Sequence, residues 1–208
     1  YKHTNIPDNL IIDKPVLNNL EQDSCTFIAF DIGYMDFRTN IWKEKKIASS
    51  ITTIIFGDKF FNQLRTKEQL GYITRMSKMG MDSSYNMRSL IFFMVQSNVK
   101  DADYLETRIN NFIENNMVEI IDNMTIDKFN THKKTLFENI IKPYKNIKQE
   151  AMIDMYHIIS RNYKFDMKEQ LLEKLKEYTF DDYKIFIRKL LDTNPIIIKI
   201  RGNKETKK

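Results

Sequence analysis

Arg65 and Tyr72 are the residues of this sequence whose types and spacing could do chemistry. They lie in the stretch 60–72, FFNQLRTKEQLGY, which starts with a helical pattern, breaks at Gly71 and continues into an alternating run typical of a strand. Arginine carries a planar, permanently charged fork of donors for oxygen atoms. A tyrosine hydroxyl can donate to an oxyanion that develops in a transition state. The pattern therefore predicts part of a catalytic site at a corner where a helix gives way to a strand.

The same two residues also fit a purely structural interpretation. An arginine on a helix is usually exposed, and a tyrosine on a strand is commonly half-buried in the core. From residue types alone, this interpretation stays open beside the catalytic one.

No other catalytic or metal-binding motif is recognisable in the sequence. The histidines are His3, His132 and His157, and none has a spacing that could assemble a catalytic zinc site. The sequence also lacks a glycine-rich phosphate loop and a Gly-x-Ser-x-Gly elbow. Cys25 is the only cysteine, which excludes an internal disulfide, and its alternating context predicts a buried strand position. We therefore expect no metal ligand and no bound cofactor within these residues.

The segment LRTKEQLGY, residues 64–72, resembles a segment shared by the pitrilysin/insulinase family of zinc metallopeptidases. The resemblance extends in layout over nearly the whole chain, with local matches at residues 122–125 and 163–166. It implies the fourth, C-terminal unit of a longer polypeptide whose units enclose peptides in a chamber. The first residue is Tyr rather than Met, which agrees with a piece of something longer.

The family holds its zinc in the N-terminal half, with a His-x-x-Glu-His box and a later glutamate. This sequence has no such box. The resemblance therefore implies that zinc is bound outside this chain and that the fragment alone is inactive. It also implies that Tyr72 donates to the oxyanion of the tetrahedral intermediate and that Arg65 fixes a substrate carbonyl beside the scissile bond. The implied partners are the N-terminal half of the same polypeptide and peptide substrates, with a homodimer left open.

A non-catalytic role remains an alternative within the same family. Some relatives serve as scaffolds or substrate-binding partners rather than as enzymes. The presence of both Arg65 and Tyr72 favours the catalytic interpretation, because an inert domain has no chemical need for the pair.

Composition favours an ordinary globular protein. Hydrophobic residues make up 42% and aromatic residues 12% of the sequence. The formal net charge is +5, but the 33 basic and 28 acidic residues are interspersed, and the densest basic stretch, KEKK at 43–46, contains an acid. Nucleic-acid-binding proteins usually cluster their charge on one element, so a basic nucleic-acid-binding module is a minor alternative.

The 208 residues also show no recognisable membrane-spanning run and no recognisable targeting signal. The most apolar runs, 90–95 and 195–198, are too short to span a bilayer, so no membrane partner is expected. The single cysteine and the lack of a signal segment favour an intracellular location, although the compartment stays open.

The hydrophobic pattern predicts a single α+β domain over 1–208, in which a sheet and helices packed on one of its faces position the corner. About four mostly antiparallel strands are expected, at 25–34, 72–79, 87–97 and 196–201, with 80–86 as a hairpin loop. Residues 1–20 are expected to form an irregular lead-in, with a short extended piece at 10–12 as an option, and residues 202–208 a charged tail.

Capping residues define the expected helices. Thr39 should cap a helix that Gly57 ends, after which Asp58 should cap a short helix carrying Phe60 and Leu64. Further helices are expected at 101–124, from the Thr125 cap to the residue before Pro143, and at 146–161, 166–178 and 179–192. The last of these should open with an acidic capping box from Thr179 to Asp182.

Overall fold

The chain is described by a computed structural model, which covers residue 7 and the ranges 9–81 and 86–206. His3 and most of the expected hairpin loop, 80–86, lie outside the described residues.

A five-stranded sheet forms the base of the domain, and its strand order is β1-β5-β2-β4-β3. The strands are β1 (Ile11–Pro15), β2 (Ser24–Asp36), β3 (Ile73–Met81), β4 (Asn86–Ser97) and β5 (Ile196–Arg201). β1 runs parallel to β5, and the other neighbouring pairs are antiparallel. The α+β class with a mostly antiparallel sheet is therefore confirmed.

The prediction of four strands was wrong because β1 lies within the segment 1–20, which was expected to be irregular. All five of its residues are exposed, so it carries no hydrophobic alternation. β1 is held by backbone hydrogen bonds, such as the one from the Ile197 N–H to the Leu10 carbonyl at 2.9 Å. The carboxylate of Asp13 also accepts two hydrogen bonds of 2.7 Å from the guanidinium of Arg201.

The helical segments follow the expected order. They are α1 (Ile41–Phe61), a π-helical segment (Asn62–Lys67), α2 (Ala102–Asn111), a second π-helical segment (Phe112–Met117), α3 (Val118–Asp122), α4 (Ile126–Ile141), α5 (Ile147–Ile159), α6 (Met167–Glu177), α7 (Phe180–Leu191) and α8 (Asn203–Thr206). The N-cap of α4 at Thr125 is confirmed, and so is the capping box of α7 from Thr179 to Asp182. The expected charged tail contains α8 within its described part.

The first helix departs from the prediction at both ends. Gly57 does not end it, and Asp58 does not cap a separate helix, because α1 continues to Phe61. A glycine inside a helix costs only about 1 kcal/mol, and the burial of Phe56 and Phe60 on either side of it outweighs that cost. The N-cap position is occupied by Asn40 rather than by Thr39.

The core lies between the helices and one face of the sheet, as predicted. The ring of Phe60, at the end of α1, packs edge-on against Phe93 of β4 at 5.3 Å and Phe112 at 5.1 Å between ring centroids. These contacts fix the end of α1 against the middle of the sheet. Cys25 is half-buried rather than buried, and its surroundings raise the pKa of its thiol to about 11.

Candidate functional site

The corner after α1 is anchored by two leucines. Leu64 and Leu70 are almost completely buried, and the Leu70 N–H donates to the Leu64 carbonyl at 3.0 Å. Between them the chain turns through Gln69, whose φ is +52°. The helical part therefore ends at Lys67, and the expected break at Gly71 was wrong.

Gly71 is needed for a different reason, namely a close approach of two backbones. A Cβ at Gly71 would lie 1.8 Å from the carbonyl oxygen of Gln96 and 3.1 Å from the Cα of Ser97, at the end of β4. Its φ lies outside the left-handed region. The absence of a side chain at Gly71 therefore lets the corner lie directly against β4, which fixes the position of Tyr72.

Arg65 and Tyr72 are brought together at this corner. A guanidinium N–H of Arg65 donates to the backbone carbonyl of Tyr72, and the guanidinium carbon lies 4.6 Å from the centroid of the Tyr72 ring. It also lies 5.3 Å from the ring of Phe61. Tyr72 is 82% exposed. It stands immediately before β3, an outer strand of the described sheet.

Arg65 keeps donors that its own chain does not use. Within residues 9–81 and 86–206, the bond to the Tyr72 carbonyl is the only hydrogen bond that the Arg65 side chain makes. An arginine has five N–H donors in a fixed geometry, so most of them remain free for a ligand. The guanidinium is half-buried between its aromatic neighbours, which limits its freedom.

Glu68 fastens the corner to α2. Its two carboxylate oxygens accept hydrogen bonds of 2.8 Å from the Nε and Nη2 groups of Arg108. A third bond of 2.8 Å comes from the side-chain amide of Gln63. Hydrogen bonds from Arg108 lower the pKa of Glu68 below its usual range, so the carboxylate stays ionised. The partner of Glu68 is 40 positions away along the chain and could not be identified from the sequence.

Phe61 also contacts Arg65 at this corner, although the sequence did not single it out as a candidate site residue. It is 40% exposed and faces the guanidinium of Arg65. Side chains four positions apart on a helix lie on the same face. The spacing from Phe61 to Arg65 therefore contained a signal for this contact.

Metal ligands do not cluster in the part of the chain that the structure describes. No group of three or more His, Cys, Asp or Glu residues there could hold a metal ion. His157 is buried in α5, and its Nδ1 lies 2.8 Å from the side-chain oxygen of Asn162. Burial lowers the pKa of His132 on α4, and the positive charge of Lys59 adds to that effect. The described residues therefore do not fit a zinc ion.

The basic stretch 43–46 does not form a uniform basic surface. Glu44 pairs with Lys174 of α6 at 2.9 Å, and the Lys45 ammonium donates to the Tyr34 carbonyl at 2.9 Å. The ammonium group of Lys46 lies 3.0 Å from the sulfur of a methionine in α6. These contacts stabilise the packing of α1 and weaken the case for nucleic-acid binding. Among the described helices, none has the length and apolar character needed to cross a membrane.

The fold defines a class of α+β domain that occurs in peptidases. The structure superimposes on pitrilysin with a TM-score of 0.74 at 22% identity, covering 94% of this chain and 20% of that one. It also superimposes on the inactive peptidase domain of a candidate zinc protease from Bordetella parapertussis, with a TM-score of 0.63 at 10% identity, covering 89% of this chain and 96% of that one.

Sequence comparisons identify the family. Residues 51–154 match the family model for the PQQ synthase PqqF-like C-terminal lobe, domain 4. The insulin-degrading enzyme of Drosophila melanogaster is 28% identical over 186 residues, which cover 88% of this chain and 17% of that protein. The chain therefore belongs to the insulinase family of zinc peptidases and is a domain of its C-terminal lobe. It spans about a sixth of the length of the fly relative.

Proposed function

We propose that this chain is the C-terminal domain of a zinc metalloendopeptidase and that Arg65 and Tyr72 act on the peptide bond that is cleaved. The observation that carries this proposal is the contact between the two side chains at an exposed corner of the sheet. In this proposal the full-length enzyme encloses peptides in a chamber, and this domain forms part of its wall.

Tyr72 is suited to stabilise negative charge in the transition state. Its ring is exposed, but its backbone is held by Arg65 and by the close approach of Gly71 to β4. A hydroxyl in a fixed position can donate to the oxyanion of the tetrahedral intermediate without reorganising. Removing one such donor typically lowers turnover by ~100-fold or more.

Arg65 is suited to bind the substrate backbone beside the scissile bond. Its free N–H groups can donate to a peptide carbonyl, while the bond to Tyr72 keeps the guanidinium in place. Arg65 therefore has two roles in the proposal, since it orients Tyr72 and binds the substrate.

Zinc would be held by the N-terminal half of the same polypeptide, where it would activate a water molecule. This assignment is supported by the family membership. The 208-residue chain alone is then expected to be inactive.

The proposal can be tested in the full-length polypeptide with the substitution Tyr72→Phe. We expect kcat to fall by ~100-fold with KM and zinc content nearly unchanged, because the lost donor acts only in the transition state. Arg65→Lys keeps the charge but loses the fork, so it should raise KM and lower kcat. Tyr163→Phe is the control, because Tyr163 is an exposed tyrosine in the loop between α5 and α6. Normal turnover of Tyr72→Phe would exclude Tyr72 from the mechanism.

A non-catalytic role is the second candidate, supported by the similarity to an inactive peptidase domain. Such a protein would keep the fold but lack the zinc box upstream of this chain. Measuring bound zinc in the full-length polypeptide separates the two candidates. One zinc ion per chain favours the enzyme, and a zinc-free protein with no turnover favours a scaffold.

A further inference from the structure

Helix α5 exposes far more apolar surface than a helix of a globular domain normally does. Met152 is 63% exposed, Ile159 is 72% exposed and Ile147 is 84% exposed. Met152 and Tyr156 line a shallow groove of about 370 Å³ along the helix. A surface helix usually turns its apolar stripe towards the core and its polar residues to water. α5 does the reverse over much of its length.

The helix is nevertheless firmly built. The Asn146 side chain caps its first turn by accepting from the Gln149 N–H at 2.9 Å. At its other end, the ring of His157 is buried and bonded to Asn162. The chain then passes through Arg161, whose φ of +53° is unusual for a residue other than glycine. Such a conformation persists only where the surrounding contacts fix it.

An exposed aromatic side chain also lies past the end of the helix. Phe165 is 56% exposed, and the edge of its ring packs against His157 at 6.0 Å between centroids. We define the α5 surface by the exposed apolar side chains of the helix, namely Ile147, Met152, Met155, Tyr156 and Ile159. Contiguous exposed apolar surfaces of this kind mark sites of interaction.

The charges around the α5 surface favour a protein partner over a lipid surface. Lys148 is accompanied by Glu150 and Asp154, so the helix carries both signs. Helices that bind membranes in the interface plane are instead rich in basic residues on their polar side.

We propose that the α5 surface is the docking site for another domain of the same polypeptide, outside residues 1–208. A long stretch of polypeptide is available to supply such a domain, since the chain spans 17% of the fly relative and covers 20% of pitrilysin. A tethered domain is present at an effective concentration of about 1 mM, well above that of a free partner. The inference rests on the part of the proposed function in which this chain belongs to a longer polypeptide. It does not depend on the roles of Arg65 and Tyr72.

Methionine oxidation in the full-length polypeptide tests this inference directly. Met152 and Met155 are more than half exposed in the domain itself. If α5 is covered, both should react roughly 10-fold more slowly in the native polypeptide than in the denatured one, because oxidation follows exposure. Rates close to those of the denatured polypeptide would overturn the proposal.

A matched pair of substitutions gives an independent measurement. Ile159 on α5 and Ile185 on α7 are 72% and 69% exposed. Ile159→Glu should increase the oxidation rates of Met152 and Met155 in the full-length polypeptide, whereas Ile185→Glu should leave them unchanged. Equal effects of the two variants would contradict docking at α5.

Other occupants give different outcomes. Protection that disappears on dilution, together with a dimer in light scattering, would assign the surface to a second copy. Protection that appears only with vesicles of anionic phospholipid would assign it to a membrane. Either result would overturn the intramolecular proposal and leave the Tyr72→Phe test unaffected.

Discussion

Replacing Gly71 with alanine is the sharpest test of how the corner is positioned. The added Cβ would lie 1.8 Å from the Gln96 carbonyl oxygen. Real Cβ contacts essentially never fall below 3.0 Å, so one of the two backbones has to retreat by roughly 1 Å. Neither can retreat freely, because Leu70 is anchored in the core and Gln96 lies within β4.

Gly71→Ala is expected to lower both the free energy of unfolding of the domain and the turnover of the full-length polypeptide. Overpacking of this kind destabilises a folded domain by about 1–3 kcal/mol, which in a chain of this size lowers Tm by roughly 2–4 °C per kcal/mol. The same displacement moves Tyr72, the next residue. A misplacement of about 1 Å in an active site can lower turnover ~100-fold, so if Tyr72 acts as proposed, Gly71→Ala should lower the turnover of the full-length polypeptide even where it remains folded.

Thermal unfolding of the 208-residue chain and steady-state kinetics of the full-length polypeptide measure the two effects separately. Gly57→Ala is the matched control, because its added Cβ would lie 3.9 Å from the nearest atom, the Met76 carbonyl oxygen. Since Gly57 lies inside α1, this change should stabilise the chain by about 1 kcal/mol. If Gly71→Ala proved as stable and as active as Gly57→Ala, the close approach would not be what fixes Tyr72.

Further predictions concern ionisable groups. Glu68→Gln should cost about 1.5–3 kcal/mol by weakening a half-buried charged pair with Arg108, whereas Asp181→Asn, in an exposed pair, should change the free energy of unfolding by less than about 1 kcal/mol. Because the pKa of Glu68 is lowered on folding, its contribution is present above its usual pKa of 4.5 and lost as the pH falls through the lower folded value. The difference in Tm between wild type and Glu68→Gln should therefore shrink from pH 6 towards pH 2, and a constant difference would contradict the charged pair. Since burial raises the pKa of Cys25 to about 11, a thiol reagent at pH 8 should label the native chain ~100-fold more slowly than the unfolded one, and equal rates would contradict that shift.

The sequence predicted a change from helix to strand and its two candidate residues from local signals, although the helix ends at Lys67 and not at Gly71. The contact between Arg65 and Tyr72 follows from that local geometry. Their roles in catalysis stay predictions, which the Tyr72→Phe and Arg65→Lys variants test.

The features that escaped prediction depend on tertiary contacts. The Arg108 partner of Glu68 and the close approach of Gly71 to Gln96 join segments far apart in sequence. Strand β1 escaped because its hydrogen bonds and its ion pair to β5 leave no hydrophobic pattern. Gly57 was misinterpreted because local propensity was given more weight than the burial of the aromatic residues beside it.

The bond from Arg65 ends on the main chain of Tyr72 rather than on its hydroxyl, and this makes the two residues unequal. Removing the phenol oxygen leaves the guanidinium seated where it was. Removing the guanidinium also removes one of the two restraints on the segment that carries the phenol, the other being the close approach of Gly71 to β4. The damage from changing both residues should therefore be smaller than the sum of the two separate effects, which a double-mutant cycle measures.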